Sequence, residues 1–536
     1  MGKGFFIKNL TQNKLIVLIS IFFVLFYNYS FFDTVLNTYP LISQNQGFVF
    51  SLPVVLFTIT ALFFTLLSSR WTTKPLLIST LLISSMTAYF MNTYQVVIDD
   101  SMIRNALQTD IKESMDLFSF KQVLYFILLG LLPAYFVYKT PLVYKDIQQS
   151  LWDKFKQIIF LLLLMVGIIF IFSKHYTSFA REHKRLRFSA NPSYWIYSVG
   201  NYIYKTFNSG PIKVKVLGTD AKVKDTPNTL PKLVILVVGE AVRADHLALN
   251  GYDKDTTPKL RQENIINFSN VYSCGTATAE SVPCMFSIYD KEHYSYKKGI
   301  GTENILDVLN HTNKISILWR DNNSDSKGVA LRVPYEYYKS PINNTICTEG
   351  ECRDEGMLIG LNTFIHKQTN KDILIVLHQM GNHGPAYYKR YPKAFEKFTP
   401  VCETNQLEQC SKEEISNAYD NAILYTDDFL TKTIDLLKKY DKTHQTAMLY
   451  MSDHGESLGE KGIYLHGLPY FMAPDAQKHI AALAWFSPSL QKSTHIESIN
   501  PKERYSQDNL FHTLLGLFDV STEVYNPKLD IFNAGK

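Results

Sequence analysis

Residues 232–240 read KLVILVVGE, six apolar side chains in a row that stop at Gly239 and Glu240. In a doubly wound parallel sheet a fully buried strand reads as a continuous Val/Ile/Leu run, and ligands bind beyond its carboxyl end. The same grammar recurs downstream. DILIVLHQMGNHG (372–384) leads to His383, and TAMLYMSDHGES (446–457) delivers Asp453 and His454. The block SCGTATAESVPCMFS (273–287) carries Thr278, and His466 lies in a short LHG run. Residues far apart in sequence are thus expected at one edge of one sheet.

Strands are expected at 232–238, 315–319, 372–378, 446–451 and 481–486. Residues 414–440 place apolar groups at helical spacing, with lysines toward the end that complement the helix dipole. Strands alternating with helices predict a βαβ series and a mostly parallel sheet.

Glu, Asp and His suit zinc, and a hydroxyl beside that ion loses its proton more readily near neutral pH. Glu240, Asp453 and His454 leave an open position for the Thr278 oxygen, which then serves as nucleophile at phosphorus. His383 and His466 are expected at the same phosphate. Asn323 and Lys327, in WRDNNSDSKG (319–328), are expected to add hydrogen bonds and positive charge there.

The first 176 residues differ in kind. Five stretches are long and apolar enough to cross a bilayer, which takes roughly 20 residues: about 14–32, 48–69, 75–97, 122–139 and 157–175. The first has no cleavage site after it and is expected to stay as a span. Lys3, Lys8 and Lys14 precede it. Arg70 and Lys74 follow the second stretch, and Lys139, Lys145, Lys154 and Lys156 follow the fourth, whereas 32–46 carries no Lys or Arg. Positive-inside counting therefore expects a cytoplasmic N-terminus and an external C-terminal part. The division expected is a transmembrane domain at 1–176, an amphipathic interfacial connector at 177–230, rich in Arg and Tyr, and a catalytic α/β domain at 231–536.

The net charge of +5 over 536 residues forms no nucleic-acid footprint, so nucleic acid is excluded as a partner. All six cysteines fall in the C-terminal half in close couples: Cys274 with Cys284, Cys347 with Cys352, and Cys402 with Cys410. No CxxC pair is present, and local disulfides in an oxidising compartment are expected.

The blocks VVGEAVRADH, SCGTATAESVPCMFS, LWRDNNSDSKG, LHQMGNHGPAYYKRYP and SDHGESLGE, following five spans, resemble the lipid A phosphoethanolamine transferases of polymyxin resistance. The resemblance implies a five-span helical domain joined to an alkaline phosphatase/sulfatase-like α/β domain with at least one Zn2+. It matches Glu240, Thr278, Asp453 and His454 to metal and nucleophile positions, and His383 and His466 to further metal or substrate positions. Thr276 lies two residues too early. The donor implied is phosphatidylethanolamine, the acceptor a lipid A phosphate, and the place a monomer in the bacterial inner membrane with its catalytic domain in the periplasm. The loop VVIDDSMIRNALQTDIKES (96–114) resembles the family's lipid-contacting loop, which makes Asn105, Thr109 and Glu113 candidates for the donor headgroup. Glu280 departs from the Tyr of relatives and bears on acceptor fit.

Among rivals, a sulfatase needs Cys or Ser in a C-x-[PA]-x-R-like signature, which follows neither Cys274 nor Cys284. A glycerophosphate polymerase of the lipoteichoic acid type, a transferase to core heptose and a non-catalytic lipid-binding membrane protein complete the alternatives.

Overall fold

The structure, a computed structural model, describes residues 9–42, 44–109, 111–181, 183–207, 213–224, 229–348, 350–369, 371–493 and 499–533. It forms two compact units. One comprises Met1–Ile103 and Phe118–Thr206, the other Arg104–Leu117 and Phe207–Lys536.

The first unit is helical: α1 (Gln12–Tyr27), α2 (Tyr29–Thr38), α3 (Gln46–Leu67), α4 (Thr73–Tyr94), α5 (Phe120–Lys139) and α6 (Ile147–Ile171). The last four are long and apolar enough to cross a membrane, and α1 with α2 makes a fifth candidate bent by 61°. The continuous first span expected at 14–32 is therefore broken. Asn28 causes the break: its buried side chain donates to the carbonyls of Phe23 at 2.9 Å and Asn191 at 2.7 Å, and accepts from Asn191 N at 2.9 Å. A side-chain amide that satisfies backbone groups in this way competes with helix continuation. The last span begins ten residues earlier than expected, at Ile147, where Asp146 caps it by accepting from Gln149 N at 3.4 Å. Within α5 the turns Phe126–Leu131 widen to π geometry just before Pro133, whose ring cannot accept the regular ladder. The stretch expected as the interfacial connector carries the helices Ser173–Arg181, Lys184–Phe188 and Ser193–Phe207. Trp195 of the last is buried and donates to Ser84 Oγ of α4 at 3.0 Å, while Tyr204 and Phe207 are exposed.

The second unit is built on an eight-stranded sheet. Its strands are β1 (Lys232–Gly239), β2 (Ile265–Tyr272), β3 (Ile315–Asp321), β4 (Tyr335–Tyr337), β5 (Asp372–His378), β6 (Gln445–Ser452), β7 (His479–Phe486) and β8 (Tyr505–Ser506). The order across the sheet is β8-β2-β7-β6-β1-β5-β3-β4. Only β7 runs against the rest, antiparallel to both β6 and β2. The sheet is mostly parallel, as the alternation of strands and helices requires.

All five expected strands are present. β2 was not expected, because IINFSNVY is half-buried along most of its length and never forms an unbroken apolar run. β4 and β8 are short edge strands. The helix expected at 414–440 is α8 (Lys412–Lys438), its start set by a capping box between Ser411 and Glu414. Disulfides join Cys274–Cys284, Cys347–Cys352 and Cys402–Cys410.

Parallel register decides where the chemistry sits. Ser452 pairs with Gly239, Val238 with His378, and His378 with Asp321. The carboxyl ends of β6, β1, β5 and β3 thus form one row, and the residues that follow them share an edge.

Candidate metal centre and active site

Glu240 follows β1 and is fully buried. The next residue, Ala241, sits at φ +59°, a left-handed conformation that costs a non-glycine residue about 1–2 kcal/mol. The strained turn has a use: Ala241 N donates to Asp453 Oδ1 at 3.1 Å, tying the end of β1 to the end of β6. Gly381 closes the other side at φ +48°, where an added Cβ would lie 3.0 Å from the Glu240 carbonyl oxygen.

Asp453 and His454 follow β6, also fully buried. His454 Nδ1 bonds the Gly455 carbonyl at 2.8 Å, which turns Nε2 toward the acids. That nitrogen lies 3.3 Å from Glu240 Oε1 and 3.4 Å from Asp453 Oδ2. Thr278 opens the helix α7 (Thr278–Met285), and its Oγ1 lies 3.0 Å from Glu240 Oε2 and 3.3 Å from His454 Nε2. Ala277, not Thr278, is the N-cap, so this hydroxyl is not consumed in capping. Thr276 is used otherwise: its Oγ1 donates to the Leu468 carbonyl at 2.5 Å.

Burial works to raise the Glu240 pKa, but the charge and hydrogen bond of His454, with His383 and His466 behind, hold it well below the usual carboxylate value. Burial and the Glu240 charge push Asp453 up. Burial lowers His454, yet Asp453 and Glu240 lift it to about 10. The pocket therefore demands positive charge.

The donor set fits a cation. Glu240 Oε1 and Asp453 Oδ2 are buried and meet among the described residues only the single His454 Nε2, at 3.3 and 3.4 Å, so two carboxylate oxygens share one nitrogen, an expensive arrangement unless a further positive charge meets them. Glu240, His454 and His466 offer ligand atoms within 4.8 Å of one another. Carboxylate oxygens, imidazole nitrogen and a hydroxyl are the ligand types zinc takes in catalytic sites.

His466 is fixed through a carboxylate the sequence analysis left unassigned. Its Nδ1 lies 2.7 Å from Glu456 Oε2, and Tyr387 Oη donates to Glu456 Oε1 at 2.6 Å. The His466 ring lies 4.2 Å from His454 and 5.8 Å from His383, centroid to centroid. His378 is a second addition. It ends β5, is fully buried, and pairs Nδ1 with Asp321 Oδ2 at 2.9 Å. A histidine at the end of an apolar run was visible in DILIVLH, and Glu456 two residues after His454 in SDHGES.

Asn323 lies within the cluster, where its Nδ2 donates to Glu240 Oε2 at 2.8 Å and to the Gln379 carbonyl at 2.7 Å. Lys327 Nζ donates to Ser324 O at 2.7 Å and to Gln108 O at 3.4 Å. Of the lipid-loop candidates, Asn105 is in the helix Asp100–Gln108, and its carbonyl accepts from Thr109 Oγ1 at 2.7 Å. Glu113 belongs to the helix Ile111–Asp116, and its side chain lies outside the described residues. Glu280 stands in the first turn of α7.

Against known proteins, residues 232–520 match the family Sulfatase, and residues 56–207 match Phosphoethanolamine transferase EptA/EptB. Phosphatidylethanolamine transferase Mcr-1 of Escherichia coli is 44% identical over 527 residues, 96% of this chain and 96% of that protein. Phosphoethanolamine transferase EptA of Escherichia coli K12 is 39% identical over 513 residues, 94% of this chain and 93% of its own. Among solved structures, the integral membrane protein lipooligosaccharide phosphoethanolamine transferase A of Neisseria meningitidis superposes with a TM-score of 0.94 at 34% identity, covering 98% of this chain and 99% of that one. A helical unit with apolar spans, a sulfatase-like sheet carrying the site at its carboxyl edge, and likeness over nearly the whole length lead to one assignment: the chain belongs to the phosphoethanolamine transferases, integral membrane enzymes with a C-terminal soluble domain.

Proposed function

We propose that this enzyme takes phosphoethanolamine from phosphatidylethanolamine onto Thr278 and passes it to a phosphate of lipid A. The observation that carries the proposal is the Thr278 hydroxyl, 3.0 Å from Glu240 and 3.3 Å from His454 at the end of two buried strands. Glu240, Asp453, His454 and the Thr278 oxygen would hold Zn2+, with His466 within reach of the same ion. When bound, zinc supplies positive charge that lowers the pKa of the Thr278 hydroxyl and neutralises the phosphoryl oxygens.

In the first step Thr278 Oγ1 attacks the donor phosphorus. The Oγ1 proton passes to Glu240 Oε2, the Oγ1–P bond forms, the bond from phosphorus to the diacylglycerol oxygen breaks, and the leaving alkoxide takes a proton from His383 or His466. Glu240 Oε2 and Asn323 orient the attack, Glu240 by holding the hydroxyl and Asn323 by holding Glu240. In the second step a lipid A phosphate oxygen attacks the phosphothreonine. Its P–O bond forms as the Thr278–P bond breaks, Thr278 Oγ1 takes back the proton from Glu240, and the acceptor phosphate's proton returns to the histidine. Lys327, Asn105, Thr109 and Glu113 are assigned to donor and phosphate recognition.

The donor is named in the Mcr-1 relative, and lipooligosaccharide in the Neisseria one. The catalytic domain, residues 231–536, faces the periplasm in this proposal, joined by the connector 177–230 to the transmembrane domain 1–176 in the inner membrane. The three disulfides support an oxidising compartment. Each transfer adds an ammonium to an anionic surface, which weakens its attraction for cationic peptides such as polymyxin.

Thr278→Ala tests the proposal: lipid A from cells making the variant should carry no added phosphoethanolamine by mass spectrometry, with the protein still folded and zinc-loaded. Continued modification would remove Thr278 as nucleophile. A modified core sugar in place of lipid A in wild-type cells would replace the acceptor.

A further inference from the structure

The segment Arg104–Leu117 is part of the catalytic unit although in sequence it lies between α4 and α5 of the helical unit. It is fastened at both ends. At its start the Arg104 guanidinium lies 4.1 Å over the Tyr296 ring, and the Gln108 amide donates to Tyr296 Oη at 3.3 Å. At its end the Asp116 carboxylate accepts from Lys389 Nζ at 2.6 Å and from Arg390 Nη2, while Asn405 donates to the Asp116 carbonyl at 2.8 Å.

Arg390 does more than pair with Asp116. Its side chain is 2% exposed, and the guanidinium reaches three separate parts of the unit. Nη2 takes Asp116, Nη1 takes Glu351 Oε2 at 2.8 Å, and Nε donates to the His383 carbonyl at 2.8 Å. Glu351 belongs to the short hairpin closed by Cys347–Cys352. His383 sits on the irregular loop after β5, where its own N–H bonds only one turn back, to Met380 O at 3.2 Å. Residues 379–382 are anchored by Val238, Asp354, Glu240 and Tyr419, and the Arg390 bond to the His383 carbonyl carries that anchoring to the segment side of the loop. A rigid planar fork can serve three acceptors at fixed angles, which an ammonium on a flexible stem cannot. Asp116, Glu351, Arg390 and His383 also line one shallow, open depression.

We infer that Arg390 is a positioning residue: it sets His383 against the segment Arg104–Leu117, so that the group meeting the transferred phosphate and the segment meeting the donor headgroup are placed relative to each other by one side chain. The inference rests on the roles proposed above for His383 and for that segment. Binding alone would tolerate a loose arrangement, whereas transfer would not, since a misplacement of about 1 Å costs on the order of a hundredfold in rate.

The test uses the full-length enzyme in detergent micelles containing phosphatidylethanolamine, with kcat and KM measured for Arg390→Lys, Asp116→Asn and His383→Ala. Arg390→Lys keeps a charge for Asp116 but loses the fork, and is expected to lower kcat about 10- to 100-fold while KM for the donor moves less than about twofold. Asp116→Asn weakens the ion pair to the segment but leaves the Arg390 grip on His383, and is expected to lower kcat about fivefold, less than Arg390→Lys, with KM again nearly kept. Bound zinc and circular dichroism should match wild type in both. If kcat per folded molecule is unchanged in Arg390→Lys, the inference is overturned. If Arg390→Lys does not fold, Asp116→Asn still decides, because an unchanged kcat there overturns it as well. His383→Ala separates the two layers: wild-type turnover in that variant sinks the proposed role of His383, whereas lost turnover there beside an unaffected Arg390→Lys sinks the inference alone.

Discussion

Two regions of the catalytic unit bury histidines, and they do so in opposite ways. At the carboxyl edge of the sheet His378 faces Asp321, His466 faces Glu456, and His454 faces Glu240 and Asp453. On the helix Leu510–Leu517, His512 is 4% exposed and pairs with no carboxylate among the described residues; its Nδ1 accepts from Asn526 N at 3.1 Å. The first region concentrates charge in a place where charge is costly, and the second excludes it. Burying ionised groups is unfavourable unless partners or a metal answer them, so the edge is built for chemistry and the helix for packing.

The strongest way to break this contrast is to remove the acid that both Thr278 and His454 face. Glu240→Gln keeps shape and hydrogen-bonding capacity but not the negative oxygen. Transfer should fall about 10³-fold, equal to about 4 kcal/mol of transition-state stabilisation, and zinc measured in the purified protein should fall with it. Full zinc content with full activity would leave Glu240 as a buried structural acid. Next comes Asp321→Asn. Burial pulls His378 down, but the Asp321 charge and hydrogen bond raise it above the ordinary histidine value. Asp321 also holds Trp319 Nε1 and Asn323 N, each at 2.9 Å. Removing one partner of such a buried pair should cost about 3 kcal/mol or more in urea unfolding; a loss under about 1 kcal/mol would mean the pair is not charged.

How much of this was legible in sequence follows from the same contrast. Glu240, Asp453, His454 and Thr278 could be read because each stands where an apolar run or a small-residue turn ends, and parallel register then leaves them one place to go. β2 escaped because its alternation of half-buried polar groups looks like loop. Glu456, Tyr387, Asp321 and Arg390 escaped for a different reason. Their importance lies in which atom each side chain holds, across separations such as 69 residues between Tyr387 and Glu456 or 274 between Asp116 and Arg390, and no periodicity encodes that. Asn28 is similar: a polar residue inside an apolar stretch reads as a tolerated exception until Asn191 is seen to hold it. The segment carrying Asn105 and Thr109 looked like a loop of the membrane part, since only tertiary contacts assign it to the catalytic unit.

Glu456→Gln sharpens the comparison at a smaller scale. A carboxylate on Nδ1 fixes both the tautomer and the orientation of a histidine whose other nitrogen faces a metal, and losing such a partner typically costs 10- to 100-fold in activity or metal affinity. Turnover should drop in that range while Thr278 remains able to receive phosphoethanolamine, visible as a slower burst of diacylglycerol release. An unchanged burst would take His466 out of the first step.

The smallest effect belongs to His512, and it comes as a slope. Burial depresses its pKa to about 4 from an ordinary 6.5. Above pH 6.5 the ring is neutral in both folded and unfolded chains, and the Asn526 hydrogen bond is intact. As pH falls from 6.5 to about 4 the unfolded chain gains a proton that the folded one refuses, so the stability present above the unfolded pKa is lost across that window, and no further loss arises below it. His512→Gln offers an amide oxygen to Asn526 and cannot titrate, so its urea midpoint, followed by tryptophan fluorescence, should fall less steeply than wild type between pH 6.5 and about 4. His378 and His454 predict a different response, because Asp321 beside the first and Asp453 with Glu240 beside the second favour the proton that His512 rejects. Parallel slopes in the two proteins would mean that burial on the packing helix does not hold the His512 proton off.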